Sequence, residues 1–134
     1  MRNKLIDTNI LVRLFMEDHQ KYYRESVNIF NNATKKGYFL LIPAEVLLEL
    51  EYVLRSIYKV DRQEIAADFK SLAETKCVSF LDDNLVRRAI KLYPLVNVDM
   101  VDVVIFVRSQ ILGLGIKTFD KDFVKIKKVY EQLS

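Results

Sequence analysis

The sequence has little cysteine, glycine or proline and no tryptophan: one, three, two and none among 134 residues. The single cysteine, Cys77, excludes an intrachain disulfide and fits a reducing compartment. Sparse glycine and proline favour helices joined by short connections. No apolar run approaches the roughly 20 residues that span a bilayer, and we expect no signal peptide. These absences predict a single cytoplasmic domain over residues 1–134 with no membrane segment.

The charge balance is also modest. The formal net charge is +3, which is compatible with a polyanion such as RNA but does not by itself indicate one. Basic residues cluster in the stretches ATKKGY, LVRRAIK and DKDFVKIKK. Each cluster taken alone is more typical of a solvated helix face than of a nucleic-acid contact.

Short apolar runs alternate with longer segments of helical periodicity. We predict strands at 4–6, 38–42 and 77–81, a fourth at GIKTF (115–119) and an edge strand at the VY pair (129–130). Gly37 is expected to end the helix before the second strand, and Asp61 with Glu64 forms a predicted capping box. This alternation indicates a parallel sheet flanked by helices, and such sheets bind ligands at the carboxyl ends of their strands.

Three polar residues follow the first predicted strand in the stretch LIDTNIL. Asp7 comes first, and the hydroxyl of Thr8 and the amide of Asn9 are able to orient a carboxylate or a bound water. The alternative is that Asp7 or Thr8 only caps the helix that begins here. Both interpretations are open on this stretch alone.

The helix predicted after the second strand carries three glutamates. Helical periodicity places Glu49 and Glu51 on opposite rims of its apolar stripe, whereas Glu45 points further outwards. A rim position lets a carboxylate reach a cleft without crossing the core. The periodicity therefore weakly excludes Glu45 and leaves Glu49 and Glu51 as equal candidates.

Two further acidic pairs lie near predicted helix or strand ends. Asp99 and Asp102 begin the strongly apolar segment VDMVDVVIFVRSQ, where they are either an N-cap pair or functional acids. Asp120 and Asp122 follow Thr118 in KTFDKDF, a common kind of turn. Clustered carboxylates repel one another unless a cation neutralises them. Oxygen-only ligands of this kind select Mg²⁺ or Mn²⁺, and zinc is not expected without a histidine or cysteine cluster.

The stretches LIDTNIL, VLLELEYVL, DMVDVVI and KTFDKDF together resemble the PIN-domain nucleases, most closely the VapC-type toxins of type II toxin–antitoxin pairs. The resemblance covers nearly the whole chain. It matches the four catalytic and metal-binding acids of the family to Asp7, Glu49, Asp102 and Asp120. Glu49 is preferred over Glu51 because it precedes Leu50 and the VL pair at 53–54 in the family's pattern.

Some positions of the resemblance are ambiguous or unusual. Members of the family place the fourth acid either where Asp120 stands or where Asp122 stands; we favour Asp120, with Asp122 in support. Asp99 matches a frequent but less critical acid. Val103 occupies a position where the family usually has alanine.

The resemblance implies a fold, an activity and partners. The implied fold is a three-layer α/β/α sandwich with a central parallel sheet of four to five strands. The implied activity is that of an endoribonuclease with Mg²⁺, or Mn²⁺ as a substitute. The implied partners are RNA, an antitoxin protein and a second copy of the chain. Supporting roles in the site fall to Thr8, Asn9, Asp99, Thr118 and Asp122, and contacts with the RNA backbone fall to Arg13, Lys117 and Lys121.

Two other functions are compatible with parts of the pattern. One is a catalytically inactive PIN-like module that only binds RNA or a partner, which the four filled acid positions make less favoured. The other is a receiver-like phosphorelay domain, in which Asp82 or Asp83 would accept the phosphoryl group. Receivers carry a second acid beside the first-strand aspartate, but Ile6 and Thr8 flank Asp7 in this chain.

Overall fold

The computed structural model of the chain describes residues 2–133. The chain divides into two compact units, the first ending at Asp82 and the second beginning at Asp83. The expectation that residues 1–134 make up one domain stays a prediction.

The first unit contains a parallel sheet of three strands in the order β1 (Lys4–Leu5), β2 (Leu40–Ile42) and β3 (Val78–Phe80). Leu41 of the central strand is in register with Leu5 on one side and Ser79 on the other. Leu40 and Ile42 are fully buried, as expected for the middle strand of a parallel sheet. The predicted α/β class with a parallel sheet is therefore confirmed, and the three strands end at the same edge.

Between residues 2 and 82, the described part of the first unit, there are four α-helices: α1 (Thr8–Met16), α2 (Gln20–Lys36), α3 (Ala44–Tyr52) and α4 (Arg62–Glu74). Gly37 ends α2 with φ of 74°, a left-handed conformation that glycine adopts without strain. The side chain of Asp61 accepts a hydrogen bond from the backbone N–H of Gln63 at the start of α4. The predicted end of α2 and the predicted N-cap of α4 are confirmed. The capping box is not, since within residues 2–133 Glu64 makes no reciprocal hydrogen bond to the backbone of Asp61. The core of the unit is built from Leu11, Leu47, Leu50, Leu54, Ile65 and Phe69.

A wider turn interrupts the helix after the second strand. The sequence predicts one continuous helix here, but α3 gives way to a π-helical turn at Val53–Ile57. The backbone N–H of Tyr58 donates to the carbonyl oxygen of Val53, five residues earlier, at 3.2 Å. Turns of this kind are rare and occur mostly inside helices.

The second unit is helical. It comprises α5 (Asp83–Leu92), a 3₁₀ turn (Tyr93–Leu95), α6 (Met100–Leu112) and α7 (Asp122–Gln132). Phe106 of α6 meets Tyr130 of α7 edge to face, with ring centroids 5.2 Å apart. Val103, Val107 and Ile126 are fully buried. Across residues 2–133, no helix combines the length and apolar character required to cross a membrane.

The predicted number of strands is wrong. Within residues 2–133 the sheet has three strands rather than four to five. The segment GIKTF forms no strand, since the Thr118 hydroxyl turns back to accept the backbone N–H of Asp120. The VY pair lies inside α7, where buried Ile126 and partly buried Tyr130 follow the four-residue spacing of a helix face. Two apolar residues are too short a pattern to distinguish a strand from a helix.

Candidate metal centre

Three aspartates of the second unit form a carboxylate cluster. Asp102, Asp120 and Asp122 each offer one oxygen, and these three oxygens lie within 4.8 Å of one another. Asp102 lies in the first turn of α6, Asp122 is the first residue of α7, and Asp120 precedes it by two positions. The starts of two helices thus bring together acids that are far apart in sequence. We refer to these three residues as the carboxylate cluster.

A hydrogen-bonded turn holds two members of the cluster. The Thr118 hydroxyl accepts from the backbone N–H of Asp120 at 2.9 Å. The Asp120 carboxylate in turn accepts from the backbone N–H of Asp122 at 2.8 Å. Short polar side chains that bond to the backbone two residues on are typical of such turns. Thr118 therefore positions the two acids at the start of α7.

The electrostatics of the cluster are unfavourable to negative charge. Partial burial of Asp102 is the main cause that raises its pKa, and the carboxylates of Asp120, Asp99 and Asp122 raise it further, in that order. Like charges that share a small space favour the protonated form of one member. A divalent cation between the carboxylates would reverse this effect, because it stabilises their charged forms.

The donor chemistry fits magnesium or manganese. All three ligand groups are carboxylates, and hard divalent cations prefer oxygen donors. The 4.8 Å limit is close to the about 4 Å that separates opposite oxygen ligands of one Mg²⁺ ion. Asp120 is exposed, and Asp102 and Asp122 are only partly buried. Water could therefore supply the remaining ligands of a metal ion bound here. The residues present are thus suited to a hard divalent cation.

Asp7 lies in the first unit, directly before α1. It is exposed and occupies the N-cap position, where its Oδ1 accepts a 2.8 Å hydrogen bond from the backbone N–H of Thr8. Thr8 is buried, whereas Asn9 is exposed. The capping interpretation is therefore correct as a structural role. It does not use both carboxylate oxygens, since Oδ2 makes no hydrogen bond within residues 2–133.

The two candidate glutamates of α3 differ in burial. Glu49 is exposed. Glu51 is only 1% exposed, and its Oε2 accepts a 2.6 Å hydrogen bond from Nε of Arg55 one turn later. The expectation that Glu51 lies on an accessible rim is wrong, because the chain buries this residue together with a cationic partner. Of the two, only Glu49 presents its side chain to solvent.

The remaining predicted site residues are one further acid and three basic residues, and their contacts differ. Asp99 occupies the N-cap position of α6, and its carbonyl oxygen accepts the backbone N–H of Asp102 at 3.0 Å. Arg13 forms an ion pair with Asp18 at 3.4 Å. Lys117 and Lys121 are exposed on either side of Asp120 in sequence. The two lysines therefore place positive charge on both sides of Asp120 along the chain.

The structure brings Asp102, Asp120 and Asp122 together, whereas Asp7 and Glu49 belong to the first unit. It also contains a feature that the sequence analysis missed. A cavity of about 440 Å³ in the second unit is lined in part by Asp120 and by the fully exposed side chain of Phe119. The sequence feature that could have indicated this cavity is the aromatic residue Phe119 within the otherwise polar stretch KTFDKD.

Comparison with known proteins gives one family and one relative. The PIN domain family matches residues 4–129. The chain is 27% identical over 124 residues to a VapC ribonuclease of Aquifex aeolicus (strain VF5), which covers 92% of this chain and 91% of that protein. No solved structure matches the chain significantly.

Proposed function

The chain belongs to the PIN-domain family, and on that premise we propose that it is a divalent-metal-dependent endoribonuclease, the toxin of a toxin–antitoxin pair. The observation that carries the proposal is the carboxylate cluster, in which three acids lie within 4.8 Å of one another. The raised pKa of Asp102 supports it, because a cation would relieve the repulsion among these acids. The similarity to a VapC ribonuclease supports RNA as the substrate.

Asp102 and Asp120 would hold the metal with Asp122 in support, and Asp7 and Glu49 are proposed as the remaining catalytic acids. Asp7 has a carboxylate oxygen outside its helix cap, and Glu49 is exposed. Mg²⁺ is the expected ion, with Mn²⁺ as a substitute. When bound, such an ion supplies activation of a water and stabilisation of the charge that grows on the phosphate.

The remaining groups of the chain would bind and orient RNA. Lys117 and Lys121 carry positive charge next to Asp120 in sequence, where they would offset the repulsion between carboxylates and phosphate. Arg13 is a further proposed phosphate contact, although its ion pair with Asp18 would compete with this role. Thr118 keeps Asp120 in position through the turn, and the backbone N–H of Thr8 does the same for Asp7.

Two further elements of the proposal concern partners. A toxin has to be silenced, so we propose a cognate antitoxin protein that binds this chain, and we propose that the chain forms a homodimer. The inactive-module alternative is less favoured, because acids fill all four positions of the family's pattern. The cleavage experiment below also distinguishes these two functions.

The direct experiment compares the wild type with Asp7→Asn on single-stranded RNA, in Mg²⁺ and in EDTA. Asparagine has the same size and is a good N-cap residue, so this variant should keep its fold while losing charge. We expect Mg²⁺-dependent cleavage by the wild type and a loss of roughly 10²-fold or more in Asp7→Asn. Asp61→Asn is the matched control, since it makes the same change at the N-cap of α4.

Each outcome bears on a different part of the proposal. Wild-type cleavage by a folded Asp7→Asn protein would remove Asp7 from the site. A wild-type protein that binds Mg²⁺ and RNA but cleaves nothing would identify an inactive binding module. Equal losses in Asp7→Asn and Asp61→Asn would mean that the change acts through the helix caps.

A further inference from the structure

We propose that the cavity beside Asp120 holds an unstacked nucleobase of the substrate, with Phe119 as the stacking surface. This inference rests on the proposed ribonuclease function and names how a residue outside the acidic set would select single-stranded RNA. All the residues that carry it belong to the second unit.

Phe119 is held at the surface by the backbone around it. Its side chain is fully exposed, unlike the buried Phe69, Phe80 and Phe106. The hydrogen bond between the Thr118 hydroxyl and the Asp120 N–H spans Phe119 and fixes the turn on both sides of it. A lone exposed apolar side chain is common in proteins. What singles out Phe119 is its position directly before an acid of the carboxylate cluster.

The adjoining cavity has a suitable size and chemistry. Its volume of about 440 Å³ falls within the roughly 300–1,000 Å³ typical of small-ligand pockets. Phe106, Ile116 and Val124 contribute apolar wall, while Gln110 and Lys127 contribute polar groups. Asp120 lines the cavity as well as belonging to the carboxylate cluster. A base held here would therefore place its own phosphate near the proposed metal ligands.

The lining matches a nucleobase better than a purely apolar ligand. Aromatic side chains bind single-stranded nucleic acids by stacking on the bases, and nearby lysines bind the phosphates. Lys121 and Lys127 line the cavity with Phe119, and Gln110 carries an amide that can both donate to and accept from a base edge. Paired bases within a helix cannot stack on a protein ring, so the arrangement favours single strands or loops.

The absence of tryptophan makes the proposal directly testable. Phe119→Trp creates a single tryptophan, which can be excited selectively over the seven tyrosines and whose emission should be quenched when a base stacks on it. The titration uses a short single-stranded oligoribonucleotide in EDTA, so that binding is measured without cleavage. An oligonucleotide of the same length with abasic positions is the ligand control. Phe39→Trp is the protein control, because Phe39 is 48% exposed and belongs to the first unit.

We expect quenching of Phe119→Trp by the oligoribonucleotide, with little change for the abasic ligand or for Phe39→Trp. Phe119→Ala should weaken binding of fluorescein-labelled RNA by about 5- to 100-fold, as loss of one stacked base does. Phe119→Tyr should restore most of the affinity, because it restores the ring. A merely structural role would not produce this dependence on bases.

Three results would overturn the inference: bound RNA that leaves Phe119→Trp unquenched, equal quenching by the abasic ligand, or wild-type affinity in Phe119→Ala. The two proposals fail separately. Cleavage by the wild type without quenching of Phe119→Trp would reject the base-binding role and keep the nuclease. Quenching together with a wild type that cleaves no RNA in Mg²⁺ would keep base binding and reject the nuclease.

Discussion

The backbone N–H of Asp122 donates a 2.8 Å hydrogen bond to Oδ1 of Asp120, so one acid of the carboxylate cluster positions the other. The two side chains differ in their other contacts. Asp122 also lies 3.7 Å from the ammonium group of Lys125 in the first turn of α7. Asp120 is the more exposed of the two and lines the adjoining cavity. These differences favour Asp120 as the fourth acid, which the sequence left ambiguous.

Asp120→Asn should lower Mg²⁺-dependent RNA cleavage by roughly 10²-fold or more, because it removes charge while retaining the oxygen that accepts the Asp122 N–H. Asp122→Asn should lower cleavage by about tenfold, as expected for a residue that supports a metal ligand. Single-turnover rates for the two purified variants provide the comparison. A larger loss in Asp122→Asn would assign the fourth position to Asp122.

Asp102→Asn should change how the melting temperature responds to magnesium. Without metal, the variant should melt about 2–5 °C above the wild type, since it removes a partly buried charge that its neighbours repel. Mg²⁺ should raise the melting temperature of the wild type but hardly that of Asp102→Asn. Thermal melts in EDTA and in Mg²⁺ measure both effects. Asp82→Asn, which changes an exposed carboxylate of the first unit, should respond as the wild type does. The same response to Mg²⁺ in Asp102→Asn would count against metal binding there.

Glu49 and Glu51 should separate stability from activity. Glu51→Gln should lower the free energy of unfolding by about 1–3 kcal/mol, because it removes the buried carboxylate charge that accepts the hydrogen bond from Arg55. Glu49→Gln should change stability by less than about 0.5 kcal/mol but should lower cleavage by roughly 10²-fold. Urea unfolding and RNA cleavage assays measure the two quantities. A loss of turnover confined to Glu51→Gln would show that the resemblance is registered two residues off.

Asp68 should make stability depend on pH. Burial, with a smaller effect from the Glu64 carboxylate one turn earlier, raises the pKa of Asp68 from 3.8 to about 6. Because the pKa of Asp68 is higher in the folded than in the unfolded state, its protonated form contributes fully to the free energy of unfolding below about pH 4. This contribution is lost as the pH rises through 6. Asp68→Asn should therefore be more stable than the wild type at pH 7.5, with no gain at pH 4. The full shift corresponds to about 3 kcal/mol, but solvent screening reduces the expected gain to roughly 1 kcal/mol.

Urea unfolding of the wild type and Asp68→Asn at the two pH values tests this prediction. Glu74→Gln, at the exposed end of the same helix, is the control for loss of a carboxylate from α4. A gain of equal size at pH 4 and pH 7.5 would show that the effect does not come from ionisation of Asp68.

Helix ends could be predicted from the sequence where the backbone conformation favours only a few residue types. Gly37 marks the end of α2 because few residues other than glycine adopt a left-handed backbone there. Asp61 marks the start of α4 because few side chains can accept a hydrogen bond from the first backbone N–H groups of a helix. The three observed strands also lie within predicted apolar runs. Signals of this kind depend on neighbours within a turn of the chain, so one sequence suffices to find them.

Burial of individual side chains and the packing of one helix against another were not predictable from periodicity and composition. The side-chain periodicity of α3 gave Glu51 a rim position, but the ion pair with Arg55 allows the chain to bury it. The segment GIKTF has strand-like composition, yet it forms a turn anchored by Thr118. The sequence predicted Asp102 at the start of the apolar helix, as observed, but placed Asp120 and Asp122 after a fourth strand that does not form. The actual placement of the carboxylate cluster at the starts of α6 and α7 depends on helix packing within the second unit.

The π-helical turn at Val53–Ile57 also has a consequence for how this chain lines up with its relatives. A π-helical turn contains one residue more than the α-helical turn that it replaces. A relative that lacks the extra residue would continue α3 as a regular helix, and each residue after it would be rotated by about 100°. Tyr58, whose hydroxyl donates a 2.9 Å hydrogen bond to Asp18, would then face another direction. If a relative has a one-residue gap opposite residues 53–57, this chain carries an inserted residue there. That insertion turns Tyr58 towards Asp18, which lies between α1 and α2.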